Sequence, residues 1–498
     1  MLSRRRFVVG ALAGAAAGCV KAPAMRTTRP SITHGVQVGD VQTGTALVWA
    51  RCSEPARLVV EWDTSERFGR PRRVVGEVTT PARDHSAVVR LHDLPDGQTI
   101  AYRVRFEREA ARGASDWTTG RFATPRADRF RVAWTGDTCG QGFGRNPEWG
   151  GLRGYAAIRA AEPAVFLHSG DLIYADNPIL AQQTLADGRI WRNVTNDLVG
   201  KVAETLAEFR GRFAYNLEDE HVRALAAEVP IIAQWDDHET HNNWWPGQRL
   251  DDDRYRDPDA SKLAARARQA MFEWMPLAPG PVNRVIHYGP LLDVIVLDCR
   301  AYRTPNDTGL GTAMLGPAQA AWLVEQLAAS RARWKLVACD QPIGLVIGDG
   351  PGATRREGFA DGLAGPPGGR EIELAAVLAG MKARGVRNTA WVTADVHYAT
   401  AHHFDPARGT GVDFRPFWEF VAGPIHAGTF GPERLDPTLG AEARYVWAPA
   451  PGTGNLPPWD DLQTFGTIDV TPDALTVGLW GIADRVPRYQ VELPFEPA

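Results

Sequence analysis

No stretch of this chain is apolar for long enough to cross a bilayer. The run Val8 to Ala17 falls far short of the ~20 residues a spanning helix needs. No charge of one sign dominates either. Lys+Arg number 55 and Asp+Glu 59, the net charge is -4 and the pI is near 6.3. That balance gives no electrostatic footprint for nucleic acid or for an anionic membrane surface. Lysine is scarce: only Lys21, Lys201, Lys262, Lys335 and Lys382 occur, and arginine supplies the remaining positive charge, a pattern of genomic base bias rather than of function. No internal repeat and no low-complexity tract is evident. What is present is ordinary globular composition, 44% hydrophobic and 23% charged, not a disordered tract. At 498 residues the chain is too long for one simple core, and two domains are expected. Gly 50 and Pro 36 imply long or tightly turned loops, and many of the 17 tryptophans fall in loop-like motifs.

The start of the chain reads as an export signal over residues 1–24. Ser3-Arg4-Arg5-Arg6-Phe7 precedes the apolar run and resembles a twin-arginine signal, which engages the twin-arginine export machinery with proteins already folded. An ordinary secretory leader with a basic start is the plainer alternative. Folded export suits a protein that assembles a metal site in the cytoplasm. Two processing outcomes stand open. Ala16-Ala17-Gly18-Cys19 resembles a lipobox that would acylate Cys19, whereas Ala22-Pro23-Ala24 suits plain release. The expectation is an exported protein, periplasmic, extracellular or lipid-anchored, that meets a membrane only through Cys19. Of the other cysteines, Cys299 and Cys339 each close an apolar strand. They bridge if those strands are neighbours, or they are simply small buried residues.

Residues 30–124 read as all-β. Ala46–Ala50, Ala56–Trp62, Ser86–Leu91 and Thr99–Phe106 are short β-branched or aromatic runs separated by turn signals, which suggests an immunoglobulin- or fibronectin-like sandwich. Residues 123–126 look like a linker. From about residue 128 to 498 apolar strands alternate with helical stretches. The strands are Arg131–Thr135, Ala164–His168, Ile231–Trp235, Leu292–Leu297, Trp334–Ala338 and Thr389–Thr393. The helices are Gly154–Ala160, Leu198–Tyr215, Ser261–Trp274, Pro317–Ser330 and Arg370–Lys382. This alternation predicts an α/β architecture with functional groups at strand ends.

Four of those strands end in ligand-type residues. The clusters are Trp134 to Gly142 with Asp137 and Cys139, His168 to Asp176 with Asp171 and Tyr174, Gln234 to Trp244 with Asp236-Asp237-His238-Glu239, and Thr393 to His403 with Asp395, His397, His402 and His403. Each alone is weak, because a Gly-Asp after a strand is usually a turn. Together they can converge on one sheet edge, where crowded carboxylates repel unless cations neutralise them. Asp137 and Cys139, like Asp395 and His397, are two apart and share one side of an extended chain. A bridging carboxylate such as Asp171 holds two metals ~3.5–4 Å apart, a clamp for phosphoryl transfer. Phenolate with carboxylate and thiolate favours ferric iron, and an all-oxygen neighbour suits calcium, magnesium or manganese. His238-Glu239-Thr240-His241 is not a zinc-protease motif, because its histidines are three apart rather than four. Gly140 to Gly144 lacks the P-loop lysine, and no activated serine motif is seen.

The order Asp137-x-Cys139, Gly170-Asp171-x-x-Tyr174, Asp237-His238-Glu239 and Asp395-x-His397 resembles the metallophosphoesterase signature. Cys139 stands where that signature has a histidine, Tyr174 where it has an aspartate, and Asp237 where it has an asparagine. Those departures resemble the alkaline phosphatase D (PhoD) family. So do Trp235 to Glu239 with Asn242-Asn243, Leu297 to Arg303, Leu315 to Leu323, Gly365 to Glu371 and Glu419 to Pro424. The resemblance implies an αββα metallophosphoesterase-like sandwich behind the N-terminal β-sandwich. It also implies hydrolysis of phosphate esters by attack of a metal-bound hydroxide. On it, Cys139, Asp171, Tyr174, Asp395 and His397 would hold Fe3+, and Asp171 and Asp237 would reach Ca2+, other divalent metals being possible. Asp137 is a ligand or a backbone-shaping residue. Asp237 and His238 carry the catalysis, His238 and Asn242 meet the phosphoryl group, and Asp236 is a further candidate. His402 and His403 either line the same edge or form a surface pair. Arg300 is expected to be a structural salt-bridge partner. Trp244 and Trp245 line a substrate mouth or pack.

The alternatives are a phosphodiesterase or phospholipase D-like hydrolase and, from another class, a surface-binding protein with a degenerate catalytic domain. The latter requires a missing ligand, and the four clusters look complete.

Overall fold

A computed structural model describes residues 29–108, 113–306, 309, 311–350 and 354–497. The export leader and Cys19 lie outside the described residues. All six strands expected after residue 128 form, as two sets of parallel neighbours. Phe130–Thr135, Val165–Ser169 and Ile231–Gln234 adjoin in a nine-stranded sheet, and Leu292–Val296, Trp334–Ala338 and Thr389–Thr393 adjoin in a seven-stranded one. Their apolar runs are unbroken because both sheet faces are covered. On the inner faces Val132, Trp134, Leu167 and Ile232 share one core with Val294, Leu336 and Val392. Outside, the helices Arg153–Ala160, Leu206–Leu217, Glu220–Glu228 and Ala260–Trp274 belong to the first sheet's outer cluster. Gly316–Ala329 and Glu371–Ala383 cover the second sheet. The result is a helix–sheet–sheet–helix sandwich.

Two corrections concern helices. The stretch expected from residue 198 becomes helical only at Leu206. There Thr205 and Glu208 form a reciprocal capping box, and the Glu208 carboxylate accepts from the Thr205 amide at 2.8 Å, which fixes the start. Helix Glu220–Glu228 was not anticipated; Asp219 caps it by accepting from the His221 amide at 2.9 Å. The sequence reading also missed the C-terminal strands. Phe417–Val421, Ala399–Phe404 and Ala441–Trp447 complete the second sheet, and the meander Thr464–Val470, Ala474–Gly481 and Tyr489–Pro494 completes the first.

In the N-terminal region, strands Ile32–Gln42, Thr45–Cys52 and Ser86–Leu91 face a four-stranded sheet of Arg72–Val78, Arg57–Asp63, Thr99–Glu107 and Thr118–Ala123. The first three are also the far end of the nine-stranded sheet. Ile32–Gln42 runs parallel to Ile231–Gln234, with Gly39 opposite Ile231. Polar ties reinforce this seam. Arg284 grips Asp40 at 2.8 and 2.9 Å, the Trp49 indole donates to the Glu273 carbonyl at 2.7 Å, and the Tyr102 hydroxyl donates to the Ala227 carbonyl at 3.0 Å.

Gly39 is glycine for want of room. A Cβ there would lie 2.5 Å from Pro276 Cγ and 2.8 Å from the Ile231 carbonyl oxygen. Gly39→Ala should therefore wedge the seam and cost about 1–3 kcal/mol, the range of overpacking in a dense interior. Urea unfolding followed by tryptophan fluorescence checks this; an unchanged midpoint would contradict it.

Candidate metal centre

The parallel strands of both sheets point their C-terminal ends to one edge, and the ligand clusters follow there. Ligand atoms of Asp137, Asp171 and His397 lie within 4.8 Å of one another, as do those of Asp171, Asp237 and His238, and of Asp236, Asp237 and Asp395. Asp171 belongs to the first two groups and Asp237 to the last two, so the groups form a continuous row. The Tyr174 hydroxyl joins the first group, 2.9 Å from His397 Nε2 and 3.5 Å from Asp137 Oδ1. His397 Nδ1 is occupied by the Gly428 carbonyl at 2.5 Å, which leaves Nε2 to face the group.

Local backbone aims these side chains. Asp137, Cys139, Asp171, Asp395 and His397 all have φ between 52° and 68°, a region L-residues avoid at a cost of about 1–3 kcal/mol each. Three of the four ligand-bearing strands, Phe130–Thr135, Val165–Ser169 and Thr389–Thr393, thus each end in a left-handed turn that folds its carboxylate over the edge; Asp236 and Asp237 follow Ile231–Gln234 without one. Gly140 has a related constraint: a Cβ there would sit 2.5 Å from the Tyr174 ring.

Three sequence assignments are corrected, two of them by these turns. Cys139 does not join the row, because the alternation argument assumed an extended chain and residues 137 and 139 are left-handed. The cysteine belongs to the first sheet's outer apolar cluster, where burial pushes its thiol pKa up. Asp395 groups with Asp236 and Asp237 rather than with Asp171 and His397. His402 is away from the edge altogether. It is buried in its strand, with Nδ1 on Glu419 at 2.8 Å and Nε2 on the Thr400 hydroxyl at 2.9 Å.

Other assigned residues fall at or near the row. The Asn242 side chain is exposed while its amide donates to Asp176 at 3.0 Å. The Asn243 amide donates to Asp237 at 2.6 Å. Arg300 is fully buried and meets Asp236 at 2.5 Å and Glu357 on its other side. Trp244 packs, buried, against Trp235, and Trp245 is half-buried.

Electrostatics follow from this crowding. Burial, then repulsion from Asp236, holds the Asp137 carboxyl well above the usual range. Burial, then Asp237, does the same for Asp171, and burial with Asp236 and Asp237 for Asp395. Burial would raise Asp237 too, but the charges of His238 and Arg300 bring it below its ordinary value. Asp137 Oδ2 and Asp237 Oδ1 are buried without a hydrogen-bond partner. Buried unpaired carboxylate oxygens are costly, and a cation between them removes that cost. The row therefore fits metal ions.

Two further residues of the motifs, Asp176 and Glu239, have functional contacts. Asp176 accepts from His238 Nδ1 at 2.7 Å, and the His238 ring stacks on Tyr174 at 4.2 Å. Burial alone would lower the His238 pKa, but the carboxylates of Asp176 and Asp237 push it up to about 10. Asp176 is brought down to about 2 by His238 in spite of burial. Glu239 is the second. Its carboxylate accepts from the amides of Leu172 at 2.6 Å, Asp236 at 2.8 Å and Asp171 at 3.3 Å, tying two strand-end loops together. The signal for Asp176 lay in its place two residues after Tyr174.

Two packed sheets that share one edge lined by metal-ligand residue types define a metal-binding sandwich. Comparison with known proteins narrows this. Residues 132–479 match the PhoD-like phosphatase family and residues 18–126 match the N-terminal domain of PhoD-like phosphatases, so the chain belongs to the PhoD-like phosphatase family. It is 25% identical over 476 residues to alkaline phosphatase D of Bacillus subtilis (strain 168), covering 86% of this chain and 77% of that protein. A solved PhoD structure shares the fold at a TM-score of 0.69 and 19% identity, over 95% of this chain and 90% of that one. Purple acid phosphatase PPD1 from yellow lupin seeds does so at 0.56 and 14%, over 93% and 74%. The chain is thus a metal-binding phosphoric ester hydrolase.

Asp176→Asn should leave the fold and the bound metal intact but lower kcat by about 10²–10⁴, the usual share of a positioned acid–base group. Steady-state kinetics beside metal analysis checks this; an unchanged kcat would remove the Asp176–His238 pair from the chemistry.

Proposed function

We propose that this chain hydrolyses phosphate esters with Fe3+ held by Asp137, Asp171, Tyr174 and His397, and Ca2+ held on the Asp236, Asp237 and Asp395 side, Asp171 and Asp237 linking the two. The observation that carries the reading is the shared Asp171 between two ligand groups, with the unpaired oxygens of Asp137 and Asp237 beside it. A phenolate with an imidazole and carboxylates suits ferric iron, and an all-carboxylate set suits calcium. When bound, the metals supply Lewis-acid charge and acidify a water.

The chain's own residues do the rest. His238 is held through Nδ1 by Asp176 and stacked on Tyr174, so Nε2 is the atom that meets the substrate. With its proton retained by the Asp176 and Asp237 charges, His238 donates to a phosphoryl oxygen or to the leaving oxygen. Arg300 holds Asp236 from behind, and Glu239 fixes the Asp171 turn. We also infer, from Ser3 to Phe7 and the short apolar run after it, that the folded chain is exported by the twin-arginine route.

Initial rates on a chromogenic phosphomonoester and phosphodiester, with and without a chelator, test the reading. Chelator-sensitive turnover is expected, and the rate ratio decides between monoesterase and diesterase. Chelator-resistant turnover would overturn the metal mechanism. Tyr174→Phe should abolish any visible charge-transfer band of the loaded protein; a surviving band would remove Tyr174 from the iron ligands.

A further inference from the structure

At the opposite end of the second sheet, the start of Trp334–Ala338 and the ends of the helices Gly316–Ala329 and Glu371–Ala383 enclose a cleft of ≈ 620 Å3. Its walls carry Arg331, Arg333, Lys335, Arg384 and Arg387, against the single carboxylate of Glu496. This is dense positive charge for a protein whose net charge is -4.

Local partners leave most of that charge unanswered. Arg333 approaches Asp473 and Arg387 approaches Glu496, each only at 3.8 Å; Arg333 also donates to the Pro472 carbonyl and lies over the Phe495 ring, contacts that place its guanidinium in the wall without adding a full negative charge. Among the described residues no carboxylate pairs with the side chains of Arg331, Lys335 or Arg384 within 4.0 Å. Lys335 is half-buried, and the carboxylate opposite it on the neighbouring strand, Asp293, is already engaged by His287 at 2.9 Å and by the Ser330 hydroxyl at 2.6 Å. The two helix C-termini contribute only about half a negative charge each, too little for five cations. Arg331 and Arg384 stand exposed at the rim, and like charges gathered along one concave wall raise the local positive potential and attract a counter-anion.

We propose that this cleft binds a polyvalent oxyanion, a ligand bearing several phosphate-type groups. The cleft is far larger than one such group requires, and its cations come from three separate elements. It is not part of the reaction site. Lys335 and Asp340, which lies beside Asp236 at the catalytic edge, are separated by a strand spanning roughly 16 Å. The cleft is therefore an attachment site remote from the chemistry, on the ligand class that the enzyme hydrolyses.

Titration calorimetry on the metal-loaded protein with inositol hexasulfate, a polyanion without a hydrolysable phosphate, tests this. One molecule should bind, and the double variant Lys335→Gln/Arg384→Gln should weaken it about tenfold or more, with a shallower salt dependence. The control Arg67→Gln/Arg70→Gln removes the same charge from the exposed loop of the N-terminal region and should leave binding intact. Equal weakening in both would show a net-charge effect only and overturn the site. Inorganic sulfate binding as tightly as the hexasulfate would overturn the polyvalent ligand. Turnover of a small chromogenic phosphoester should be unchanged in the cleft variant; a parallel loss would place the polyanion at the catalytic edge instead.

Discussion

Five carboxylates, those of Asp137, Asp171, Asp236, Asp237 and Asp395, crowd one sheet edge with little or no water to screen them. Two like charges 4 Å apart repel by about 4 kcal/mol at the effective dielectric of a protein surface, and the row contains several such neighbours. The surrounding structure can be understood as a response to this repulsion. Arg300 is buried to pair with Asp236. The carboxylates of Asp176 and Asp237 draw the His238 pKa upward against burial. What remains, at Asp137 and Asp171, is charge that metal ions are suited to cancel.

The fold supplies the edge and holds it still. Parallel strands from both sheets deliver their ends to the same side, and left-handed turns after them redirect the side chains. Strain of this kind persists only where neighbours over-determine it, as Glu239 does by binding three amides of two loops. The N-terminal region contributes as well. Its first strand lies along Ile231–Gln234, covering a strand whose end carries Asp236 to Glu239 and which would otherwise be a bare sheet edge.

Much of this was legible in the sequence, for definable reasons. Buried parallel strands are unbroken apolar runs, so all six were visible, and the polar clusters after them marked the edge. The C-terminal meander was harder to read: Thr464–Val470 and Ala474–Gly481 are buried yet interrupted by glycine and polar residues, and only Tyr489–Pro494 carries the plain alternation of a half-buried strand. The misplacement of Cys139 came from applying the two-residue period of a strand to a segment whose φ angles are left-handed. The same turn chemistry moved Asp395 to the neighbouring group. His402 was undecidable from sequence because its partner Glu419 comes from another strand. Asp176 lay in plain sight, but pairing it with His238 required the contact between two loops 62 residues apart.

The shared position of Asp171 is the centre of this account, and metal analysis of Asp171→Asn tests it most directly. If Asp171 links adjacent sites, the variant should stay folded yet lose metal from both sites together, and phosphoester turnover with it. Loss of a single metal with the other retained at full occupancy, or undiminished turnover, would contradict the account.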